Sequence, residues 1–399
     1  MYKRIKYFLT SDPASGVLLL VAALAALAIA NSPLQHSYQQ FLNFYILGIS
    51  VSHWINDGLM ALFFLMIGLE VKRELIEGSL NSRSKAMLPA MAALGGMIFP
   101  IAIFLFFNHQ DPVAINGWAA PAATDIAFAL AILSLLGKRV PVELKVFLLA
   151  LAIIDDLGVI FIIALFYNSD PSGMMLLFVL TISLFLFFCG KKQFSSLSLY
   201  FVLFLVLWFT VYHSGIHATL AGVIAGFLIP LTCRAGKSPA KRVEHLLNPY
   251  VAFLILPLFA FANSGVTFSS VELASHNAHL PLGIALGLFA GKPIGVFLFS
   301  WLAIKFGVAQ LPASVNMRMI LAVAVLCGIG FTMSIFISTL AFTAEQIAMV
   351  DYAKIGILMG STASAIVGFS MLVRALPSTV AEESKQDTAV NALQQSQIK

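Results

Sequence analysis

The sequence predicts an all-α membrane protein that crosses the bilayer many times. Of its 399 residues, 60% are hydrophobic and only 10% are Asp, Glu, Lys or Arg, whereas soluble domains carry charges on about a quarter of their residues. Apolar runs recur along the chain, and many approach the length of about 20 residues that spans a bilayer. Basic residues are scattered singly between these runs, so the net charge of +5 does not indicate a nucleic-acid partner.

Twelve transmembrane helices account for this pattern. We place them near residues 14–30, 57–71, 86–107, 120–136, 144–167, 174–190, 197–212, 216–231, 250–267, 282–304, 319–342 and 355–373. With the N-terminus inside, all but two of the 23 Lys and Arg residues lie on the inward side; the exceptions are Lys292, within a span, and Lys354. Such an excess of basic residues marks cytoplasmic loops, and one span more or fewer would destroy it. Residues 1–376 therefore form one membrane domain with both termini cytoplasmic, and the polar tail 377–399 is expected to be disordered.

Four charged side chains lie deep inside predicted spans. Asp155 and Asp156 occupy the middle of the apolar run 146–167, and Asp125 and Lys292 lie in two other spans. An ionised Asp at the centre of a span costs on the order of 2.5–3.5 kcal/mol on insertion scales. An ion pair that only joins helices needs no surplus of carboxylates, yet here the carboxylates outnumber the amine. The surplus predicts a binding site for a cation.

Two of the predicted spans contain helix-breaking sequence at their centres. Span 4 carries Pro121 shortly before Thr124 and Asp125, and span 11 contains the string Cys-Gly-Ile-Gly-Phe-Thr-Met-Ser over 327–334. Interrupted backbone is tolerated in a bilayer where it lines an enclosed or wet cavity, and packing by small residues is the structural alternative. Spans 4 and 11 are the middle members of the triplets 3–5 and 10–12, which enter the membrane from opposite sides. Such inverted repeats with broken, crossing helices are typical of secondary transporters.

Helix dipoles then predict roles for the buried charges. Where broken helices cross, half-helix N-termini carry partial positive charge and C-termini carry partial negative charge. Asp125 and Lys292 are placed to compensate these charges. Asp155 and Asp156 lie about 100° apart around one helix, so at most one of them can point straight at a central site. We expect Asp156 to face the ion and Asp155 to face Lys292 or the ion pathway.

These residues resemble the NhaA-type sodium/proton antiporters. The similar strings lie at 68–75, 121–130, 149–158, 214–226, 256–264, 291–293 and 327–337, and the resemblance covers most of residues 10–375. The inverted-repeat plan is one of which this family is itself an example. The resemblance implies a multi-pass transporter of the bacterial inner membrane, neither an enzyme nor dependent on a cofactor. It implies that sodium or lithium is expelled at the expense of the inward proton gradient.

The resemblance also implies roles residue by residue. Asp155 and Asp156 match the essential ion-binding pair, and the oxygen atoms of Thr124 are further candidate ligands for sodium. Asp125, Thr124 and Lys292 match the residues around the crossed broken helices. The positions linked in the family to pH response are Glu70, Arg73, Glu74, His217, Glu244 and His245.

Two departures from the family pattern concern dimerisation and pH response. The outward stretch 38–54, where the best-studied members carry the arm of a homodimer contact, is short in this chain. Alternation over residues 45–51 predicts a hairpin within it. Asn248 stands where a histidine of the pH-linked cluster is expected, next to a predicted short surface helix at 241–247.

Competition between protons and sodium for one site supplies a mechanism for antiport. Protons and a hard cation such as sodium seek the same carboxylate oxygens of Asp155 and Asp156, so each excludes the other. Exchange of two protons for one sodium would move net charge in every cycle. Lys292 is an alternative carrier of the second proton, and coupled titration makes the two accounts hard to separate. The pH-linked residues predict activation as the cytoplasmic pH rises.

Three other functions fit parts of the pattern. An intramembrane aspartyl protease places its two Asp residues on facing helices and has no need of Lys292. A cation channel would show single-channel currents instead of proton-dependent countertransport, and broken helices in inverted repeats favour a carrier. A symporter of organic anions needs basic groups at its centre, whereas this centre is net negative.

Overall fold

The chain folds into a bundle of apolar helices with a small outward hairpin. The computed structural model describes residues 12–168, 171–233, 236, 238–267 and 278–376, and the predicted tail 377–399 lies outside these ranges. The elements of the first half are α1 (Asp12–Ala30), α2 (Gln35–Leu42), β1 (Tyr45–Ile46), β2 (Ile49–Ser50), α3 (Met60–Ile76), α4 (Arg83–Asn108), α5 (Ile126–Leu135), α6 (Val142–Phe166) and α7 (Gly173–Lys191).

The second half continues the bundle. Its elements are α8 (Leu197–Tyr212), α9 (Leu220–Leu228), α10 (Pro239–Tyr250), α11 (Leu256–Asn263), α12 (His279–Leu286), α13 (Lys292–Lys305), α14 (Met317–Leu326), α15 (Phe331–Ala341) and α16 (Ile347–Ala375). Within the described ranges, seven helical segments are long and apolar enough to cross a membrane, and nine if each of two bent pairs is one span. The chain is therefore a helical multi-pass membrane protein.

Proline positions explain the irregular turns inside two long segments. A π-helical turn, Gly287–Gly291, joins α12 to α13, and Pro293 lies in the first turn of α13. A second π-helical turn, Val251–Ile255, joins α10 to α11 just before Pro257. Proline has no N–H to donate to the preceding turn, so the helix widens there. The first of these turns ends directly before Lys292.

Both predicted interruptions are present. A 3₁₀ helix, Ala114–Ala122, ends at extended backbone over residues 123–125, after which α5 begins. The pair α14 and α15 is bent by 46° across residues 327–330. Pro121 cannot donate a backbone hydrogen bond, and Gly328 and Gly330 lower the cost of leaving helical geometry.

One expectation about element boundaries was wrong. The predicted eighth span, 216–231, is α-helical only over Leu220–Leu228, because Gly215 has a φ of 84° and Pro230 cannot continue the helix. In the outward stretch, strands are confined to residues 45–50, and residues 38–42 are helical. The predicted hairpin itself is present, with Leu47 and Gly48 both at positive φ, as a two-residue turn between twisted strands requires.

Close backbone contact holds α4 against α13 and thereby positions the site. A Cβ atom added at Gly95 would collide with the carbonyl oxygen of Gly295, and one added at Gly295 would collide with that of Gly95. One turn away, the Lys292 side chain passes over Gly96, 3.6 Å from where a Cβ atom would stand. Small residues at such helix crossings let backbones approach without clashes.

Candidate functional site

A buried ion pair joins α6 to α13 at the centre of the bundle. The Lys292 ammonium lies 2.6 Å from Oδ2 of Asp155, and both side chains are 0% exposed. Lys292 also donates to the carbonyl oxygen of Ala122, at the C-terminal end of the 3₁₀ half-helix. That end carries partial negative charge, so Lys292 compensates a half-helix C-terminus and Asp155 together. Asp155 thus faces Lys292, one of the two features that it was expected to face.

Thr124 connects this pair to both interrupted helices. Its hydroxyl lies 2.8 Å from Asp155 Oδ2 and 3.0 Å from the carbonyl oxygen of Cys327, at the end of α14. A hydroxyl has one proton, so it donates to one of these acceptors at a time. Thr124 therefore lies on the Asp155 side of the site.

Asp125 caps two half-helices at once. Its Oδ1 accepts from the Phe128 N–H in the first turn of α5, 3.0 Å away. Its Oδ2 accepts from the Thr332 N–H at 3.1 Å and from the Thr332 hydroxyl, in the first turn of α15. The Asp125 N–H donates to the Ile329 carbonyl oxygen at 2.7 Å, which joins the two breaks directly. A carboxylate shared by two helix N-termini is the arrangement that dipole compensation requires.

Asp156 points away from these contacts. It is 1% exposed, and neither of its carboxylate oxygens has a hydrogen-bond partner among the described residues. The second oxygen of Asp155, Oδ1, is also buried without a partner. A buried carboxylate without partners pays the full cost of losing water. These three oxygens are therefore free to bind a proton or a cation.

A cavity of about 660 Å³ extends from Asp156 towards the predicted cytoplasmic side of the bundle. Its lining includes Asp125 and Thr332 at the centre and Glu70, His245 and Asn248 at the predicted cytoplasmic side. In the described part of the chain, no group of three His, Cys, Asp or Glu residues could hold a metal ion. A cation at the centre would thus depend on Asp155 and Asp156 together with hydroxyl or water oxygens.

Most of the residues predicted for pH response form one cluster at the predicted cytoplasmic end. Arg73 lies 3.2 Å from Glu74, 3.2 Å from Glu244 and 4.0 Å from Glu70. A second cavity, of about 400 Å³, adjoins this cluster and is lined by His245 among others. Glu244, on the surface helix α10, has its pKa raised by burial, an effect that Arg73 partly offsets.

His217 lies apart from that cluster. It hydrogen-bonds the backbone of Tyr167, which follows the outer end of α6. The structure therefore brings together Glu70, Arg73, Glu74, Glu244 and His245 and leaves His217 at the other end of the bundle.

Sequence reasoning missed two polar groups of the site, Thr332 and Ser361. Thr332 lies in the string that marks the eleventh span as interrupted, so its position signals a role that its residue type does not. Ser361 accepts from the N–H groups of Gly330 and Phe331, 3.2 Å away in each case. No sequence signal singles out Ser361, because a serine within an apolar helix usually bonds its own backbone.

Comparison with known proteins agrees with this architecture. Residues 6–372 match the family described as Na+/H+ antiporter 1. The Na(+)/H(+) antiporter NhaA of Vibrio cholerae serotype O1 is 59% identical over 378 residues, 94% of this chain and 99% of that protein. The NhaA of Vibrio vulnificus (strain YJ016) is 58% identical over 382 residues, 96% of this chain and 98% of that protein. The chain therefore belongs to the Na+/H+ antiporter 1 family, whose members are transporters rather than enzymes.

Proposed function

We propose that this protein is a secondary antiporter of the bacterial inner membrane that exports cytoplasmic sodium or lithium in exchange for entering protons. The observation that carries the proposal is Asp156. Its two buried oxygens have no hydrogen-bond partner among the described residues, and Asp156 lines a cavity that extends to the predicted cytoplasmic cluster. The activity stated in the names of the relatives is the one that such a site can perform.

The charges of the site explain why a cation is needed. Lys292 neutralises one carboxylate, through its contact with Asp155, and leaves Asp156 without a compensating charge. A bare carboxylate is costly in a low-dielectric interior, so Asp156 is expected to hold either a proton or a cation at all times. Sodium is a hard cation that prefers oxygen ligands, and Asp156, Oδ1 of Asp155 and the Thr124 hydroxyl can supply them.

Mutual exclusion at these oxygens couples the two ions. When sodium arrives, the protons must leave, and the cycle continues only if the loaded site turns to the other side of the membrane. If the pair of carboxylates releases two protons for each sodium, transport is electrogenic. Lys292 can supply the second of these protons instead of Asp155, since the two groups share a hydrogen bond.

The fold proposed for this cycle has twelve spans and two inverted repeats. The apolar helices and the two interrupted segments support it. The short helices α8 and α9 and the charged helix α3 supply the spans that length and composition alone do not identify. The helices of spans 3–5 and 10–12 would then carry the site, with both termini in the cytoplasm.

Activation at alkaline pH is proposed to arise in the cytoplasmic cluster. Burial favours the protonated form of Glu244, and the neighbouring Glu74 adds to this effect. Loss of that proton as the pH rises would strengthen the attraction of Glu244 for Arg73 and the repulsion from Glu74. Because His245 and Asn248 line both the cluster and the central cavity, a rearrangement there would change access to Asp156.

The outward segment 38–54 is the proposed surface of a homodimer. Tyr45 is 69% exposed and Leu47 is 90% exposed at the tip of the hairpin. Phe41 and Phe44 are also exposed nearby. A cluster of exposed apolar side chains on an outward loop marks an interaction surface.

The test is ΔpH fluorescence in inverted membrane vesicles. The unmodified protein is expected to dissipate ΔpH on addition of sodium or lithium, over a series of cation concentrations and pH values, and potassium measures selectivity. Asp156→Asn is expected to abolish the response, whereas Asp351→Asn, which removes a carboxylate paired with Lys354 near the outer surface, serves as the control. Sodium-driven proton movement that survived Asp156→Asn would refute the assignment.

A further inference from the structure

One wall of the cavity that holds Asp156 is formed by a single face of α6. The residues of α6 that line the cavity are Lys145, Leu149 and Asp156. Residues four and eleven positions apart lie within about 40° of each other around an α-helix. At about 1.5 Å per residue, Lys145 lies about 16 Å from Asp156 along the helix axis, towards the predicted cytoplasmic side. Lys145 therefore stands at the mouth of the cavity, and Asp156 lies at its inner end.

The charge of the cavity lining is mainly acidic. The lining includes the carboxyl groups of Glu70, Asp125 and Asp156. Among the described residues that line the cavity, Lys145 is the one Lys or Arg, and His245 is the one further residue that can carry positive charge. The positive charge of Lys145 thus faces the same space as three carboxyl groups.

The charge of Lys145 is not neutralised by an ion pair in the described part of the chain. Glu143, the acidic residue nearest to it along the chain, accepts a hydrogen bond from the Ser314 hydroxyl, 2.7 Å away. Lys145 also lies near the N-terminus of α6, which begins at Val142. A basic side chain is unfavourable there, because the N-terminus of a helix carries partial positive charge. Helix stability therefore does not explain a lysine at this position.

We propose that Lys145 is an electrostatic filter that keeps divalent and other multivalent cations out of the cavity while sodium passes. The proposal rests on the proposed antiport function and assigns to Lys145 a role in ion specificity. A cavity with several carboxyl groups concentrates cations more strongly as their charge increases. A fixed positive charge at the mouth opposes this effect in the same proportion. Because the energy is proportional to ionic charge, the factor for a divalent cation is the square of that for sodium.

The size of the effect follows from the distance between Lys145 and Asp156. A unit charge about 16 Å away changes the local concentration of a monovalent cation by a factor between about 1.5 and 6. The lower value applies at the dielectric constant of water and the higher one at about 20, the value typical near a protein surface. An intermediate factor of about three for sodium corresponds to about tenfold for Mg²⁺. Salt screens such a charge over about 8 Å at 0.15 M, so the effect is measured at low ionic strength.

Magnesium inhibition of transport tests the filter. Inverted membrane vesicles expose the cytoplasmic face, to which sodium and Mg²⁺ are added while ΔpH is followed by fluorescence. Lys145→Gln is expected to lower the half-saturating sodium concentration about threefold and the Mg²⁺ concentration that halves the transport rate about tenfold. Lys145→Arg keeps the charge and should match the unmodified protein.

The matched control for this test is Lys138→Gln. It removes an equal charge from an exposed position between α5 and α6 that does not line the cavity, and it should leave both concentrations unchanged. The proposal is overturned if Lys145→Gln changes the Mg²⁺ concentration no more than the sodium concentration. It is also overturned if Lys138→Gln has the same effect as Lys145→Gln.

Thiol labelling tests the same charge without relying on transport. A cysteine at Ser134, which lines the cavity on α5, is treated with a cationic or an anionic thiosulfonate of similar size. The three native cysteines are buried, so the protein without Ser134→Cys measures the background. Adding Lys145→Gln should raise the ratio of the cationic to the anionic labelling rate about tenfold, and Lys145→Arg should not.

The labelling ratio also separates the filter from the antiport function. An unchanged ratio in Lys145→Gln would show that Lys145 does not control the potential of the cavity, and it would overturn the proposal. A ratio that rises as expected, in a protein that shows no sodium-dependent ΔpH, would instead overturn the antiport function and leave the filter in place.

Discussion

The buried pair of Asp155 and Lys292 allows a quantitative test of how the site is held together. We consider Lys292→Met, which keeps the length of the side chain and removes its charge. The substitution leaves Asp155 with the Thr124 hydroxyl as its one remaining partner on Oδ2. It also removes the donor to the Ala122 carbonyl oxygen. Breaking a buried ion pair by removing one partner costs about 3–5 kcal/mol.

A double variant distinguishes the effect of breaking the ion pair from the effect of losing the Lys292 side chain. In Asp155→Asn with Lys292→Met no buried charge of the pair remains, and replacing a whole buried pair by neutral groups is often close to neutral in stability. The double variant is therefore expected to be more stable than Lys292→Met alone, by roughly 2 kcal/mol or more. The cost that persists is that of the unpaired Ala122 carbonyl group, about 1–3 kcal/mol.

Thermal unfolding of the purified protein in one detergent, at one pH and one heating rate, measures this cycle. Lys305→Met is the control, because Lys305 lies over the Trp301 ring at 4.6 Å at the end of α13 and has no buried ion pair with any residue that the structure describes. We expect its unfolding midpoint to stay near that of the unmodified protein. If the two single substitutions lowered stability additively in the double variant, the reasoning from charge pairing would be refuted.

Three further predictions concern other parts of the chain. Asp125→Ala removes the cap of two half-helices and should lower the free energy of unfolding by about 1–4 kcal/mol, twice the usual value for one cap. Asp125→Asn should lower it less. Equal unfolding midpoints for the two variants would contradict the shared cap. Burial raises the pKa of Glu244, so the contribution of this group to stability is present below its unfolded pKa and is lost as the pH rises through its folded pKa. Glu244→Gln should therefore flatten the pH dependence of the unfolding midpoint and shift the pH–activity curve. An unmoved pH–activity curve would exclude a sensor role for Glu244. Tyr45→Lys with Leu47→Lys should convert a dimer into a monomer in light scattering, and an unchanged mass would exclude this surface.

The placement of the charged residues could be predicted from the sequence because charged side chains are rare and costly inside a membrane span. Asp155 and Lys292 are separated by 137 positions, yet their cost in lipid and the dipoles of interrupted helices predict that both lie near the crossed helices, with Lys292 as one of two features that Asp155 was expected to face. The 100° rotation per residue of one helix predicts that Asp155 and Asp156 point in different directions. These inferences needed no knowledge of neighbouring side chains.

The remaining details depended on contacts that no local pattern encodes. The double role of Asp125 requires the N-terminus of α15 to lie within hydrogen-bond distance, and that position follows from packing across the whole bundle. The eighth predicted span is short because Gly215 and Pro230 limit the helix, although its apolar composition continues beyond them. A hydropathy profile indicates which residues are apolar enough to lie in lipid, whereas the ends of a helix are determined by its backbone hydrogen bonds.

The two adjacent carboxylates and the two broken helices form one connected arrangement. Asp155 is bonded to Thr124, and Thr124 is followed in the same extended segment by Asp125, which caps α15. A proton or cation that changes the charge near Asp155 therefore acts within two residues on the N-terminus of α15. We expect this short path, with three hydrogen-bonded groups and one extended segment, to link occupancy of Asp156 to the position of α15. Thr124→Val, which breaks the path and preserves both carboxylates, should lower the transport rate strongly and leave the unfolding midpoint near that of the unmodified protein. A fall in the unfolding midpoint as marked as the fall in transport rate would mean that Thr124 only supports the fold.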